Sequence, residues 1–347
     1  MIVIADDLTG AAEIAGIATT HGLQVNLVCD PSHVAAEGLT VIATDTRSMT
    51  EAAAVAETQR VAAIVPFSFP QGHDARFPLL FKKTDSALRG HVVAELSALM
   101  KATGKQRAIY LPANPSKGRT ISNGIYYIDG IPIADTAFSY DPEFPALTSR
   151  LAERFPTAVA NGIAMPDATT MANLDAIVAD ATCDTLLAGG ADLFEAVLRQ
   201  AEKGWRRIIL CGSTQSRPLS ANIVAAMPLS VYDGNDDVEA WLADARTKYE
   251  TGGCVALTIA HRHHTGKATA THLRQAMATV ATRLFQVQRP QELIVEGGAT
   301  AFATLQQLGI GALDVVGQLA PGVVRMRSHD GLLVTLKPGS YPWRSEK

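Results

Sequence analysis

The four cysteines, Cys29, Cys183, Cys211 and Cys254, lie far apart, with no CxxC pair and no recurring spacing. That excludes a zinc ribbon or a disulfide framework and fits a reducing compartment. Neither sign of charge dominates. Thirty Lys+Arg stand against 34 Asp+Glu, a formal net charge of -4 without a basic stripe, so no nucleic-acid partner is expected. No apolar run approaches the roughly 18 residues that a bilayer-spanning helix needs. The opening Met1-Ile2-Val3-Ile4-Ala5 reaches Asp6-Asp7 without a basic region or a long apolar one, so no targeting segment is expected. The expectation is a soluble, cytoplasmic chain without a membrane partner. Disorder is excluded as well, because 47% hydrophobic and 18% charged residues allow a sizeable core. At 347 residues, two domains of ordinary size are expected.

Several chemical signatures are missing too. Gly104-Lys105 and Gly266-Lys267 lack the following Ser/Thr and the upstream Gly of a P-loop, and Gly309-Ile310-Gly311 does not extend to GxGxxG. No GxSxG or HExxH occurs. His261, His263 and His264 cluster in a polar stretch without nearby Cys or carboxylate, which reads as a solvated loop rather than a metal site. No protein metal cage is expected.

What is present is alternation. Short Val/Ile/Leu-rich runs, each closed by Gly, Asp or Ser, are followed by Ala-rich helical stretches. Strands are predicted at 2–5, 24–28, 40–44, 79–83, 108–111, 185–188, 207–211, 254–259 and 293–296. Helices are predicted at 9–20, 50–64, 91–102, 192–202, 219–226, 238–249, 268–285 and 300–308. Near-continuous apolar strands alternating with helices define an α/β fold with mostly parallel sheets covered on both faces. Between Asp129 and Asp167 the rhythm breaks at Gly130, Pro132, Pro142, Pro145, Pro156 and Pro166. This suits connecting loops and a domain boundary near residue 155, giving domains 1–155 and 156–347 that face a central cleft.

Ligands of open α/β sheets sit beyond the carboxyl ends of the strands. In the first half those turns are charged: Asp6-Asp7, Asp45-Thr46-Arg47, and Lys82-Lys83-Thr84-Asp85-Ser86 followed by Leu88-Arg89-Gly90. One Asp could simply cap a helix and one Arg be solvated, but three charged turns on neighbouring strands point to a pocket for a small polyhydroxylated anion. Arg47 or Arg89 would grip a carboxylate bidentately while aspartates accept hydroxyl protons. In the second half the turns are small: Gly189-Gly190, Gly212-Ser213-Thr214 and Gly297-Gly298-Ala299-Thr300, joined by Lys337-Pro338-Gly339-Ser340. Backbone N–H groups at such turns approach phosphates closely, so a nucleotide site is expected there.

The stretches Ala5-Asp6-Asp7-Leu8-Thr9-Gly10-Ala11, Thr44-Asp45-Thr46-Arg47 and Lys83 to Gly90 resemble the hallmark turns of the four-carbon acid-sugar kinases. That family includes threonate, erythronate and 3-oxo-tetronate kinases. Leu111-Pro112-Ala113-Asn114-Pro115, Gly118-Arg119-Thr120, Asp141-Pro142, Gly212-Ser213, Glu296 to Thr300, Pro321-Gly322-Val323 and Lys337 to Ser340 match in order, so the resemblance covers nearly the whole chain. Three positions depart from it: Ala299 where the family usually has Asp or Glu, Ala87 where it often has Thr, and Tyr341-Pro342-Trp343 where it ends Phe-Gly. The ending is similar to that of the D-threonate kinases.

The resemblance implies a sugar-acid-binding first domain, an ATP-binding second domain and phosphoryl transfer to a terminal hydroxyl with Mg²⁺ held mostly by ATP and water. It places Asp7, Arg47 and Lys83, Thr84, Asp85 and Ser86 on the substrate, with Asp6 and Arg89 supporting, and Ser213, Gly297, Gly298, Ala299, Thr300 and Gly339 on ATP. Asp85 is the expected base, Asp7 the second choice, and Lys83 or Arg89 stabilises the transferring group. A homodimer is expected from the general frequency of symmetric oligomers. Three rivals stand beside this reading. One is an aspartyl-phosphate phosphatase, whose aspartates would normally lie at i and i+2 rather than adjacent. Another is a non-catalytic sugar-acid sensor, which Ala299 favours. A dehydrogenase is disfavoured because no dinucleotide fingerprint follows any strand.

Overall fold

The computed structural model describes residues 1–35, 38–65, 80–182, 184–202, 204–212 and 221–340. The chain forms two compact units, Met1–Lys203 and Gly204–Lys347. In chain order the first holds β1 (Ile2–Ala5), α1 (Leu8–Thr20), β2 (Val25–Val28), β3 (Leu39–Ala43), α2 (Glu51–Ile64), β4 (Leu80–Lys83), α3 (Val92–Thr103) and β5 (Arg107–Leu111). These are followed by β6 (Arg119–Ser122), β7 (Ile125–Ile128), β8 (Ile131–Pro132), α4 (Leu151–Arg154), β9 (Ile163–Ala164), α5 (Met171–Asp180), β10 (Thr185–Gly189) and α6 (Ala191–Glu202).

Seven strands make one sheet in the order β2-β3-β1-β4-β10-β5-β9, and every neighbouring pair is parallel. Every residue of β1, β3, β4 and β10 is buried, so both faces are covered. Helices α1 and α5 pack with α6, while α2 packs with α3. From β1 the chain runs outward through β2 and back to β3, then crosses to β4 on the other side of β1. The β1/β4 junction is therefore the point where the winding reverses, and all carboxyl ends share one edge.

The boundary expected near residue 155 is not where the units divide. Strand β10 pairs with both β4 and β5, filling the gap between them, so the first unit needs the chain as far as 189 and runs on through α6. The proline-containing stretch 129–167 is an insertion within that unit rather than a linker. It contributes β8 to a three-stranded antiparallel sheet, β6-β7-β8, and is tied back to it by Tyr126 N–H on Ser149 O and Leu151 N–H on Gly124 O. The Gly189-Gly190 turn accordingly belongs to the first sheet.

The second unit holds β11 (Arg207–Cys211), β12 (Val224–Ala226), α7 (Leu229–Tyr232), α8 (Glu239–Gly252), β13 (Cys254–Thr258), α9 (Lys267–Gln288), β14 (Glu292–Glu296), α10 (Gly298–Gln307), β15 (Asp314–Ala320), β16 (Val323–Arg327) and β17 (Leu333–Lys337). The sheet order is β12-β13-β11-β14-β17-β16-β15, parallel through β17 and antiparallel beyond it. A helix was expected over 219–226. Residues 224–226 instead extend the sheet, pairing with 256–258, and residues 213–220 lie outside the described ones. Sheet hydrogen bonds and burial of Ala225 override the helix preference of its alanines there.

Two glycines test this packing. A Cβ on Gly189 would sit 2.0 Å from the Leu111 carbonyl oxygen, whereas one on Gly16, inside α1, would meet nothing within 4 Å. Gly189→Ala is expected to destabilise by about 1–3 kcal/mol, and Gly16→Ala to stabilise by about 0.5–1 kcal/mol. Urea denaturation of both variants checks the pair, and a neutral Gly189→Ala contradicts the β10–β5 pairing.

Candidate functional site

At the edge where β1, β3 and β4 end, the sequence delivers its charges into a bonded cluster. Asp7 caps α1 by accepting the Gly10 N–H at 2.8 Å. A Cβ on Gly10 would lie 2.7 Å from that Asp7 oxygen and 3.1 Å from Lys83 Nζ, so glycine makes room for both side chains. After β3, Asp45 turns through a left-handed φ of 55° and Arg47 N–H donates to Asp6 O. This aims the guanidinium back across β1. Its Nε and Nη2 donate to the two carboxylate oxygens of Asp6 at 3.1 and 3.0 Å, and Nη1 donates to Asp7 Oδ2 at 2.9 Å and lies 3.6 Å from Asp85 Oδ1.

Asp85 organises the next loop. It accepts Arg89 Nε and Nη2 at 3.0 and 2.9 Å and the Ala87 N–H at 2.8 Å. Leu88, buried with a φ of 65°, holds the loop closed over it, and Arg89 also reaches Asp141 at 3.6 Å. Consecutive residues of β4 point to opposite faces. Lys82 pairs with Glu95 of α3 in full burial at 2.6 Å, with Thr46 also bonding that carboxylate. Lys83 turns towards α1, bonding the Thr84 carbonyl at 2.9 Å and facing Glu13 at 3.5 Å. Ser86 accepts a hydrogen bond from Arg119, and its carbonyl accepts one from Tyr126. Buried Thr84 Oγ1 has no partner.

All eight expected substrate residues thus gather at one edge, two of them already bonded within the protein. Arg47, expected to orient a substrate carboxylate, already holds Asp6 in a fork and bonds Asp7. Asp85, expected as the base, is anchored by Arg89 and a backbone N–H, and these bonds with Arg47 nearby keep its carboxyl below the usual value despite burial. Burial pushes the Asp6 carboxyl up against the opposing pull of Lys82 and Arg47. Asp7 is the more open group, with 20% of its side chain exposed against 3% for Asp6 and 9% for Asp85.

In the second unit a cavity of about 390 Å³ lies at the carboxyl ends of β11, β13 and β14. Gly212, Ala299 and Thr300 line it, at the N-terminal turn of α10, together with the apolar side chains of Ile259, Leu273 and Met277. Gly212 is required there, because a Cβ would come 2.4 Å from Thr300 Oγ1. The buried Lys337–Glu296 pair, 2.7 Å apart, and the Gly297 N–H on Lys337 O tie the ends of β14 and β17 together. Gly297, Gly298 and Gly339 shape these turns without lining the cavity, and Ser213 lies outside the described residues. Burial and the Glu296 charge push the Cys211 thiol up to about 12, which makes it a packing residue.

Sequence reasoning missed the rest of that wall. Tyr232, His261, Arg262, His264 and Arg274 line the cavity, and the histidine cluster, read as a solvated loop, was its only signal. His263 and His264 each meet Asp233 Oδ1 at 2.9 Å, all three exposed. Two imidazoles and one carboxylate do not suit Mg²⁺, which prefers oxygen donors. In the first unit Asn114, Asp192 and Tyr126 also went unassigned. Asn114 accepts the Asp192 N–H at 2.9 Å, and Asp192 accepts both the N–H and hydroxyl of Ser116, locking the turn after β5 to α6.

Residues 1–227 match the family described as a sugar-binding N-terminal domain and residues 215–341 that described as a nucleotide-binding C-terminal domain. The chain belongs to the four-carbon acid-sugar kinase family. It is 33% identical over 153 residues to the D-threonate kinase of Salmonella typhimurium, covering 44% of this chain and 35% of that one. To the 3-oxo-tetronate kinase of Pseudomonas fluorescens it is 26% identical over 412 aligned residues, covering 98% and 94%. A D-threonate kinase of Cupriavidus necator is 31% identical over 232 residues, covering 66% and 50%. The fold is shared with a domain of unknown function from Bordetella bronchiseptica, a domain-swapped dimer with bound citrate. Its TM-score is 0.73 at 22% identity, over 98% of this chain and 94% of that one. No helix among the described residues is long and apolar enough to cross a membrane.

Arg47→Ala strands the Asp6 carboxylate and is expected to cost about 3–5 kcal/mol, part of which Asp6→Asn restores in the same background. Additive effects of the two changes in denaturation contradict the pairing. Acid titration separates the carboxyls further. Asp6, raised, protonates above the ordinary aspartate range, and its linked contribution is present at low pH and lost as pH rises through its folded pKa. Asp85, lowered, contributes stability above the ordinary range that is lost as pH falls through its folded pKa. Carboxyl ¹³C titration midpoints in the order Asp85 below Asp6 are expected, and the reverse order contradicts these environments.

Proposed function

We propose that the chain transfers the γ-phosphoryl group of ATP to the C4 hydroxyl of a four-carbon sugar acid such as D-threonate. The observation that carries this reading is the carboxylate cluster of Asp6, Asp7 and Asp85 around Arg47, at the switch point of the unit that matches the family's sugar-binding domain. Hydroxyl-rich ligands need many acceptors in fixed positions, and this edge offers three carboxylates held by charge-assisted bonds. In the second unit, the apolar walls of the cavity suit a purine and the first turn of α10 suits its phosphates.

Asp7 is the base in this reading. It is the most open of the three carboxylates, and Arg47 fixes one of its oxygens while the α1 cap fixes the other. Each oxygen retains a lone pair for the C4 hydroxyl proton. Asp85 keeps Arg89 and the 84–90 loop in place instead. Lys83, buried beside Asp7, supplies positive charge for the group in transfer. Mg²⁺, held by the nucleotide and water rather than by a protein cage, would neutralise phosphate charge during transfer. A homodimer would parallel the domain-swapped dimer of the Bordetella relative.

ADP release with Mg-ATP is measured against both threonates, both erythronates, 3-oxo-tetronates and glycerate. Turnover confined to a four-carbon acid is the expected result. Phosphate release from ATP that no acid stimulates contradicts the reading. Asp7→Asn is expected to lower kcat by about 10²–10⁴-fold with the acid KM little changed. Gly212→Ala should raise the ATP KM and spare the acid KM, and equal loss of both contradicts the assignment of ligands to domains.

A further inference from the structure

Among the described residues every cation of the charged edge but one faces a carboxylate or, like Arg154 on the carbonyls of Leu88, Phe144 and Pro145, is spent on backbone acceptors. Arg47 holds Asp6 and Asp7, Arg89 holds Asp85 and Asp141, Lys82 holds Glu95, and Lys83 and Lys117 share Glu13. Arg119 is the exception. Its guanidinium donates to the neutral hydroxyl of Ser86, next to Asp85, and lies 5.8 Å over the ring of Phe138. Among the described residues it forms no ion pair.

Its placement is built rather than incidental. Arg119 opens β6 directly opposite Asn114, exchanging backbone hydrogen bonds of 3.0 and 2.8 Å with it, and the four-residue excursion between them is pinned by Ser116 on Asp192. Tyr126 of β7 bonds the Ser86 carbonyl, so the small antiparallel sheet grips the substrate loop at the residue Arg119 touches. Two residues before Ser86, the Thr84 hydroxyl is buried without a hydrogen-bond partner among the described residues.

We propose that Arg119, rather than Arg47, is the carboxylate-recognising residue of the sugar-acid site, and so the group that selects acids over neutral four-carbon sugars. This rests on the kinase reading of that site and deepens it. A planar guanidinium with uncompensated charge offers two parallel N–H donors to a carboxylate. Ser86 Oγ holds one end of it in position until the ligand arrives. The carboxylate end of the substrate then lies on the β6 side of the edge, leaving the hydroxyls for the aspartates around Arg47.

Calorimetric binding of the best acid is the first readout, because it does not depend on turnover. Arg119→Ala is expected to weaken acid binding by about 10- to 100-fold, with Arg119→Lys intermediate and a melting temperature close to that of the unaltered chain. In turnover the acid KM rises while the ATP KM stays constant, and the preference for the acid over the neutral tetritols threitol and erythritol collapses. Equal acid affinity in the unaltered chain and Arg119→Ala overturns the proposal, as does a loss shared equally by acid and tetritol. Acid bound in an Arg119-dependent way without ADP formation overturns the kinase reading alone, and no acid binding to the unaltered chain overturns both.

Discussion

Three aspartates brought to one corner of a sheet repel one another, and the guanidinium of Arg47 is what makes the corner tenable. It forks onto Asp6, bonds Asp7 and stands beside Asp85, joining the ends of β3, β1 and the loop after β4. A lysine could not do this, because the arrangement needs donors diverging in one plane. Burial of Asp6 raises the cost of losing any member, since an unpaired charge at that depth has no water to turn to. The substrate loop inherits this order, as Gly90 packs against Asp6 and Arg47 while Asp85 ties Arg89 down.

Much of the fold could be read from the chain. Runs such as Ile2–Ala5 and Arg207–Cys211 are strands because their β-branched and apolar residues fill both faces of a parallel sheet, and the structure keeps those bounds. The unit boundary could not be read, because it depends on β10 returning between β4 and β5, a pairing between residues 78 apart that no local pattern encodes. The stretch 129–167 misled for a related reason: prolines mark turns, and turns occur inside insertions as readily as between domains.

The site divides in the same way. The charged turns announced which residues share the edge, since strand ends of a parallel sheet must meet there. Which cation neutralises which carboxylate was hidden, because it depends on side-chain directions set by single turns, such as the left-handed Asp45 that swings Arg47 over β1. Arg47, expected to orient a substrate carboxylate, is for this reason found bonded to Asp6 and Asp7. In the second unit, glycine turns located one end of the cavity, while the His261 and His264 wall comes from a loop with no periodicity to betray it.

The most direct test of phosphoryl transfer at this edge is the ³¹P spectrum of the product formed from ATP and the acid that turns over, with proton coupling retained. A phosphomonoester resonance coupled to the two C4 methylene protons is predicted. An acyl phosphate, or inorganic phosphate as the sole new resonance, would contradict phosphorylation of the terminal hydroxyl.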